Sequence, residues 1–91
     1  MTIELEYTDG NALAGPLAEI FSVDITTIRG RCAGCDSTGP VAELRVYGPG
    51  PGWVARCPYC DDVMLRFVRG PERAWIDLRG SLNLEIALPE S

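Results

Sequence analysis

Cys32-Ala33-Gly34-Cys35 and Cys57-Pro58-Tyr59-Cys60 decide how this 91-residue chain is read. They hold all four of its cysteines, 21 residues (36–56) separate them, and there is no histidine. Two residues between paired cysteines let the backbone turn so that both sulfurs face one point. Four thiolates from two such turns can then surround one ion at about 2.3 Å. The spacer is one residue longer than the usual window for paired C-x2-C motifs, a small departure. With no histidine to substitute, a tetrahedral protein site must use Cys32, Cys35, Cys57 and Cys60 together. One structural Zn2+ is the expected ion, and iron is the alternative, because sulfur-only tetrahedral sites suit both.

The neighbouring residues fit such turns. Gly34 lies inside the first and Asp36 follows it; Pro58 lies inside the second and Asp61 follows it. A turn of this kind needs a residue near the left-handed region, which Gly adopts without steric cost and Asp tolerates. Asp in place of the commoner Gly after each pair makes each turn slightly less favourable. Two other chemistries compete. Disulfides belong to exported chains, and the N-terminus Met-Thr-Ile-Glu-Leu-Glu-Tyr-Thr-Asp has neither the basic nor the apolar region of a signal peptide. Cys57-Pro58-Tyr59-Cys60 also has the letters of the glutaredoxin motif, which works at the start of a helix. Here two carboxylates, Asp61 and Asp62, follow at once, and then the strand-forming run Val63-Met64-Leu65-Arg66-Phe67-Val68.

Ninety-one residues make one domain at most, with a modest core that metal binding commonly supplements. The expected organisation is a single domain over 1–91: a helical N-terminal part at about 9–22, a ribbon at about 24–80 and a C-terminal strand at about 81–88. Residues 1–28 carry five carboxylates and no basic group, while residues 29–80 carry all eight arginines against six carboxylates. A divalent ion held by four thiolates removes two charges from that middle region and leaves it about neutral. Phosphate-backbone binding wants a clear basic excess, so nucleic acid is the less favoured partner, although Trp53, Tyr47 and Tyr59 lie near the arginines. The arginines are expected to pair with the acidic N-terminal third instead. No apolar run approaches the length of about 18 residues that a membrane span needs, and cytoplasmic residence follows as the expectation.

Along the chain, residues 3–7 alternate like a short edge strand. Thr8, Asp9 and Asn11 offer caps for a helix over roughly 10–21 that buries Ala12, Leu13, Leu17, Ile20 and Phe21; at Gly15-Pro16 it either bends or gives way to a turn before a short second helix with Pro16 in its first turn. Strands are expected at 24–32 and 40–47, the latter with Ala42, Leu44 and Val46 on one face. Gly48-Pro49-Gly50-Pro51-Gly52 reads as a hairpin tip. Further strands follow at 53–56, 63–68, 74–79 and 81–88. The last shows Leu82, Leu84, Ile86 and Leu88 on one side and has the N-terminal segment as a candidate neighbour; it could also pair across a dimer. The fold class is therefore small, β-rich α+β: a zinc ribbon with rubredoxin-like knuckles, antiparallel hairpins and one N-terminal helix.

Asp9–Leu17, Arg31–Cys35, Arg56–Cys60 and Ala74-Trp75-Ile76-Asp77-Leu78-Arg79-Gly80 together resemble a group of small uncharacterised bacterial zinc-ribbon proteins of about this length. The resemblance implies a zinc ribbon with a helical N-terminal piece and carries no activity. Cys57-Pro58 and Cys60 are also similar to the second knuckle of rubredoxins, where Gly rather than Asp61 normally follows. Nickel chaperones of hydrogenase maturation share the two C-x2-C pairs but deliver nickel through a histidine that this chain lacks. A closed four-thiolate site has no open metal position, and no histidine activates Ser22, Ser37, Ser81 or Ser91. The expected function is therefore a non-enzymatic interaction or adaptor module with an unknown protein partner. Rubredoxin-like electron transfer and nucleic-acid binding are the alternatives. The sequence leaves the oligomeric state open.

Overall fold

A computed structural model describes residues 7–18, 21, 24–49 and 52–88. The expected strand over 3–7 lies outside them except for Tyr7, as do the last turn of the expected helix at 19–20, the tip at 50–51 and the end at 89–91. The chain is β-rich, with one short helix and two antiparallel sheets. The first sheet has the order β1-β4-β5-β6-β7, from Thr8–Asp9, Arg45–Tyr47, Trp53–Arg56, Val63–Arg69 and Ala74–Asp77. The second has the order β3-β2-β8, from Thr38–Pro40, Arg29–Cys32 and Ser81–Glu85.

The N-terminal helical segment starts where Asp9 accepts a hydrogen bond from the Asn11 N–H at 3.0 Å. Gly10–Leu13 form a 3₁₀ turn that runs directly into α1 (Ala14–Leu17). Of the two forms expected here, the structure has the turn followed by a short second helix, with no interruption at Gly15-Pro16 itself. Pro16 sits in the first turn of α1, where a missing N–H costs no helical bond. Leu13 and Leu17 are fully buried, and Ala12 and Phe21 pack against them, so the apolar stripe belongs to the core.

Four expected strands are shorter than their alternation suggests: those at 74–79 and 81–88 end at Asp77 and Glu85, and two others are cut by local turns. Residues 25–27 form a 3₁₀ turn, because the Asp24 carboxylate accepts from the Thr26 N–H (3.0 Å) and hydroxyl (2.7 Å). Such local side-chain bonds compete with a sheet ladder, and β2 begins only at Arg29. Residues 41–43 form a second 3₁₀ turn, which splits the expected 40–47 strand into β3 and β4. Val41 and Leu44 are both buried at helical spacing, so the simple alternation of Ala42, Leu44 and Val46 fails at its first member.

One core joins the elements: Leu13, Leu17, Ile25, Ile28, Val41, Leu44, Val46, Ala55, Met64, Leu65 and Phe67, together with Cys32 and Cys57. Trp53 stacks on Phe67 with ring centroids 5.7 Å apart. β8 pairs with β2, Gly30 opposite Leu84, so its described neighbour is not the N-terminal segment.

The turn Leu78–Ser81 stitches the sheets together. The Gly80 carbonyl accepts the Ala33 N–H at 2.9 Å, and the Ser81 hydroxyl donates to the Met64 carbonyl at 2.8 Å. Asp77 shapes the turn by accepting from the Arg79 backbone (2.9 Å) and guanidinium (2.6 Å). The hydrogen bond from the Arg79 side chain holds the Asp77 carboxyl down to about 2.

Candidate metal centre

Each cysteine pair lies at the tip of a hairpin. The first connects β2 to β3, and the second connects β5 to β6. Their backbones repeat one pattern. In the first, the Asp36 N–H donates to the Cys32 carbonyl (2.9 Å), and the Cys32 N–H donates to the Ser37 carbonyl (2.9 Å). In the second, Asp61 donates to Cys57 (2.9 Å) and Cys57 to Asp62 (2.8 Å). Gly34 N–H points at Cys32 Sγ (3.3 Å), and Tyr59 N–H points at Cys57 Sγ (3.4 Å). Donors aimed at the leading sulfur of each pair favour its thiolate.

The chain turns out of each knuckle through Asp36 (φ 69°) and Asp61 (φ 66°). The left-handed residue is thus the one after each pair, as the sequence allows, and not Gly34. Gly34 is small for another reason: a Cβ there would collide with the Asp62 carboxylate. An arginine just before each pair reaches the aspartate just after it. Arg31 forks onto Asp36, with Nε to Oδ1 at 2.7 Å and Nη2 to Oδ2 at 2.9 Å. Arg56 donates instead to the Asp61 carbonyl at 2.9 Å, its carboxylate lying at 4.0 Å. This difference predicts different outcomes for the two glycine substitutions. Asp61→Gly relieves the left-handed residue at little loss and raises stability by about 0.5–1 kcal/mol. Asp36→Gly gains the same relief but forfeits the Arg31 fork, leaving stability about unchanged. Urea denaturation of the metal-loaded proteins checks both, and a less stable Asp61→Gly variant contradicts the reading.

The two knuckles face one another and bring all four predicted ligands together. The Sγ atoms of Cys32, Cys35, Cys57 and Cys60 lie within 4.8 Å of one another. The Cys32–Cys60 and Cys35–Cys57 separations are both 3.6 Å. A disulfide would require about 2.0 Å, and all four thiols are free. Sulfurs at the corners of a tetrahedron around zinc stand about 3.8 Å apart, given a bond of about 2.3 Å. The donor set and its spacing therefore fit a single thiophilic ion. Cys32 and Cys57 are buried, Cys60 is half-buried, and Cys35 is exposed with Ser37 Oγ at 3.0 Å.

The electrostatics agree. Burial pushes the Cys57 thiol up, but the Ser37 hydroxyl, the Cys60 and Tyr59 N–H groups and the Cys35 thiol together bring it down to about 6. The Asp62 N–H works to lower Cys60, yet burial and the Cys32, Cys35 and Cys57 sulfurs push it up to about 12. Cys57 thus releases its proton readily and Cys60 with difficulty, and a cation among the sulfurs would favour the thiolate form.

The surroundings do not support the glutaredoxin-like alternative: the second pair leads into β6 and not into a helix. Arginine ion pairs among the described residues include Arg29–Glu85, Arg31–Asp36, Arg56–Asp61 and Arg79–Asp77. Each of these partners stands close by, in a turn or on the paired strand; Glu4, Glu6 and Glu19 of the acidic N-terminal third lie outside the described residues. Arg45 and Arg56 lie over the rings of Tyr7 and Tyr47. Of the aromatics considered for base stacking, Trp53 packs on Phe67 and Tyr47 against Tyr7, whereas Tyr59 is exposed.

Residues 4–89 match the model of a family described as a family of unknown function, DUF6510. The chain belongs to the DUF6510 family. No curated protein and no solved structure matches it. The DUF6510 match spans Asp9–Leu17 and Ala74–Gly80, and the structure gives each stretch a role. Asp9 caps the helical segment, and Gly10 lies against the Val41 carbonyl. Asp77 to Gly80 form the turn that holds the first knuckle against the start of β6. Among the described residues of this DUF6510 chain, no helix is long and apolar enough to cross a membrane.

Proposed function

We propose that the chain is a structural zinc ribbon, a non-catalytic module whose surface serves an interaction with another protein. The observation that carries this reading is the cluster of four free thiols within 4.8 Å, supplied by two hairpin tips of the same backbone pattern. Cys32, Cys35, Cys57 and Cys60 would hold the ion. An ion with four protein thiolates has no coordination position left for water or substrate, which points to structure and not hydrolysis. When bound, it supplies a crosslink between the β2–β3 and β5–β6 hairpins.

Cobalt(II) substitution tests both halves of the reading. The loaded protein should show the visible bands of tetrahedral thiolate coordination, unchanged when cyanide or imidazole is added. Bands that shift with added ligand would reveal an open position and overturn the structural assignment. The protein as purified should be colourless; a red preparation with thiolate-to-iron absorption would replace zinc by iron and favour electron transfer.

A further inference from the structure

The first sheet turns Val46, Ala55, Leu65 and Phe67 into the core, so the residues that alternate with them face solvent. Arg45, Arg56 and Arg66 are on that outer face, in a chain of net charge −5. Arg45 and Arg56 stand directly opposite one another on β4 and β5, and Arg66 on β6 stands opposite Val54. Like charges in register across an antiparallel pair are unfavourable. The fold holds them there on aromatic rings. Arg45 lies 5.3 Å from the Tyr7 centroid and Arg56 5.9 Å from that of Tyr47, and the two rings are 5.8 Å apart. The carboxylates in register with the other two arginines are engaged elsewhere. Asp9, opposite Arg45, accepts the Asn11 N–H, and Asp77, opposite Arg66, receives the Arg79 guanidinium on both oxygens. Beside Arg56, Tyr47 and Val54 wall an open hollow of about 380 Å³.

We infer that this face binds an acidic segment of a partner protein, with carboxylates on Arg45, Arg56 and Arg66 and an apolar side chain in the hollow against Tyr47 and Val54. The inference rests on the interaction-module reading above and supplies the partner's chemistry. Charge complementarity selects the occupant. A carboxylate between Arg45 and Arg56 removes the repulsion that the strand register builds in, and arginine forks suit that group. The face fits a peptide better than a nucleic acid for two reasons. Asp61 and Asp77 interrupt the arginines, where a phosphate backbone wants an unbroken basic track. The Tyr7 and Tyr47 rings pack on one another and under guanidinium groups, so they are not free platforms for bases.

Fluorescence anisotropy of the full, metal-loaded chain tests it, with a labelled octapeptide of glutamates around a central leucine as the probe. Binding should saturate and should weaken as salt is added. Arg45→Glu should bind about tenfold more weakly at unchanged metal content, and its melting midpoint should not fall, because the new carboxylate stands opposite Arg56. Arg66→Gln, a milder change on the next strand, should also weaken binding. Alanine in place of the peptide's leucine should weaken it through the hollow. No binding of the glutamate peptide overturns the proposal. So does binding that neither substitution moves, which would leave an interaction module that uses another face. Tighter binding of a thymidine octanucleotide overturns it too and assigns the face to nucleic acid.

Discussion

Cys57→Ser is expected to abolish the cooperative unfolding transition. Cys57 is 1% exposed and belongs at once to the apolar core and to the sulfur cluster. Its sulfur lies 3.6 Å from Cys35 and receives the Tyr59 N–H. A serine hydroxyl there is a harder and weaker donor that does not ionise in this pH range, so three thiolates would remain. The ion's binding free energy is then largely forfeited, and in small zinc domains it is folding free energy, roughly 10 kcal/mol apparent at neutral pH. Total stabilities of small domains are of the same order, so the loss is enough to unfold the chain. The core would not make a bound ion redundant, because two of the four candidate ligands, Cys32 and Cys57, are part of that core. Thermal and urea melts of the purified variant check this. A single sharp transition at the wild-type midpoint, with no metal bound, would contradict it.

Gly80→Ala is expected to cost about 3 kcal/mol, large for the addition of one methyl group. A Cβ at this position would lie on the Val63 carbonyl and within 2.9 Å of Met64 Cα. Both obstacles are backbone at the start of β6, so no side-chain rotation relieves them. The turn must move, and with it the Gly80 carbonyl that accepts the Ala33 N–H inside the first knuckle. The substitution therefore reaches the metal centre without touching a ligand. Equilibrium denaturation should show the loss of stability, and competition with a chelator should show weaker metal retention. Unchanged values in both would mean that the turn is not a clamp.

How much of this was legible in the sequence depends on the range of the forces involved. The clustering of the four cysteines was legible, because each pair lies within four consecutive residues whose spacing alone makes the turn. The strands from Trp53 to Asp77 were legible for a related reason: β-branched and aromatic runs are set off by the turn-forming Gly48-Pro49 and Gly70-Pro71. The 24–28 and 41–43 segments misled, since β-branched and alternating residues look like strand until Asp24 bonds Thr26 and Val41 turns inward beside Leu44. The partner of β8 was not legible either. Arg29–Cys32 and Ser81–Glu85 meet across about half the chain, and neither segment advertises the other. Gly10 and Gly80 show the same limit. Each sits against a carbonyl more than fifteen residues away in sequence, and only the assembled backbone reveals why a side chain is forbidden there.

The acidic composition reads differently once the structure is in view. The arginine pairs seen among the described residues find their carboxylates in adjacent turns and on a neighbouring strand, at Asp36, Asp61, Asp77 and Glu85, and two of them brace the cysteine turns. Arginine suits this role because its planar fork spans a carboxylate, as Arg31 does at Asp36.

Native mass spectrometry of the purified full chain tests the central claim most directly, because it reports metal and thiol state together. The account predicts one zinc ion per chain, with the displaced protons showing that the thiols have ionised around it; acid denaturation should then give the mass of the fully reduced polypeptide. A chain free of metal and lighter by the hydrogens lost to disulfide formation would contradict it.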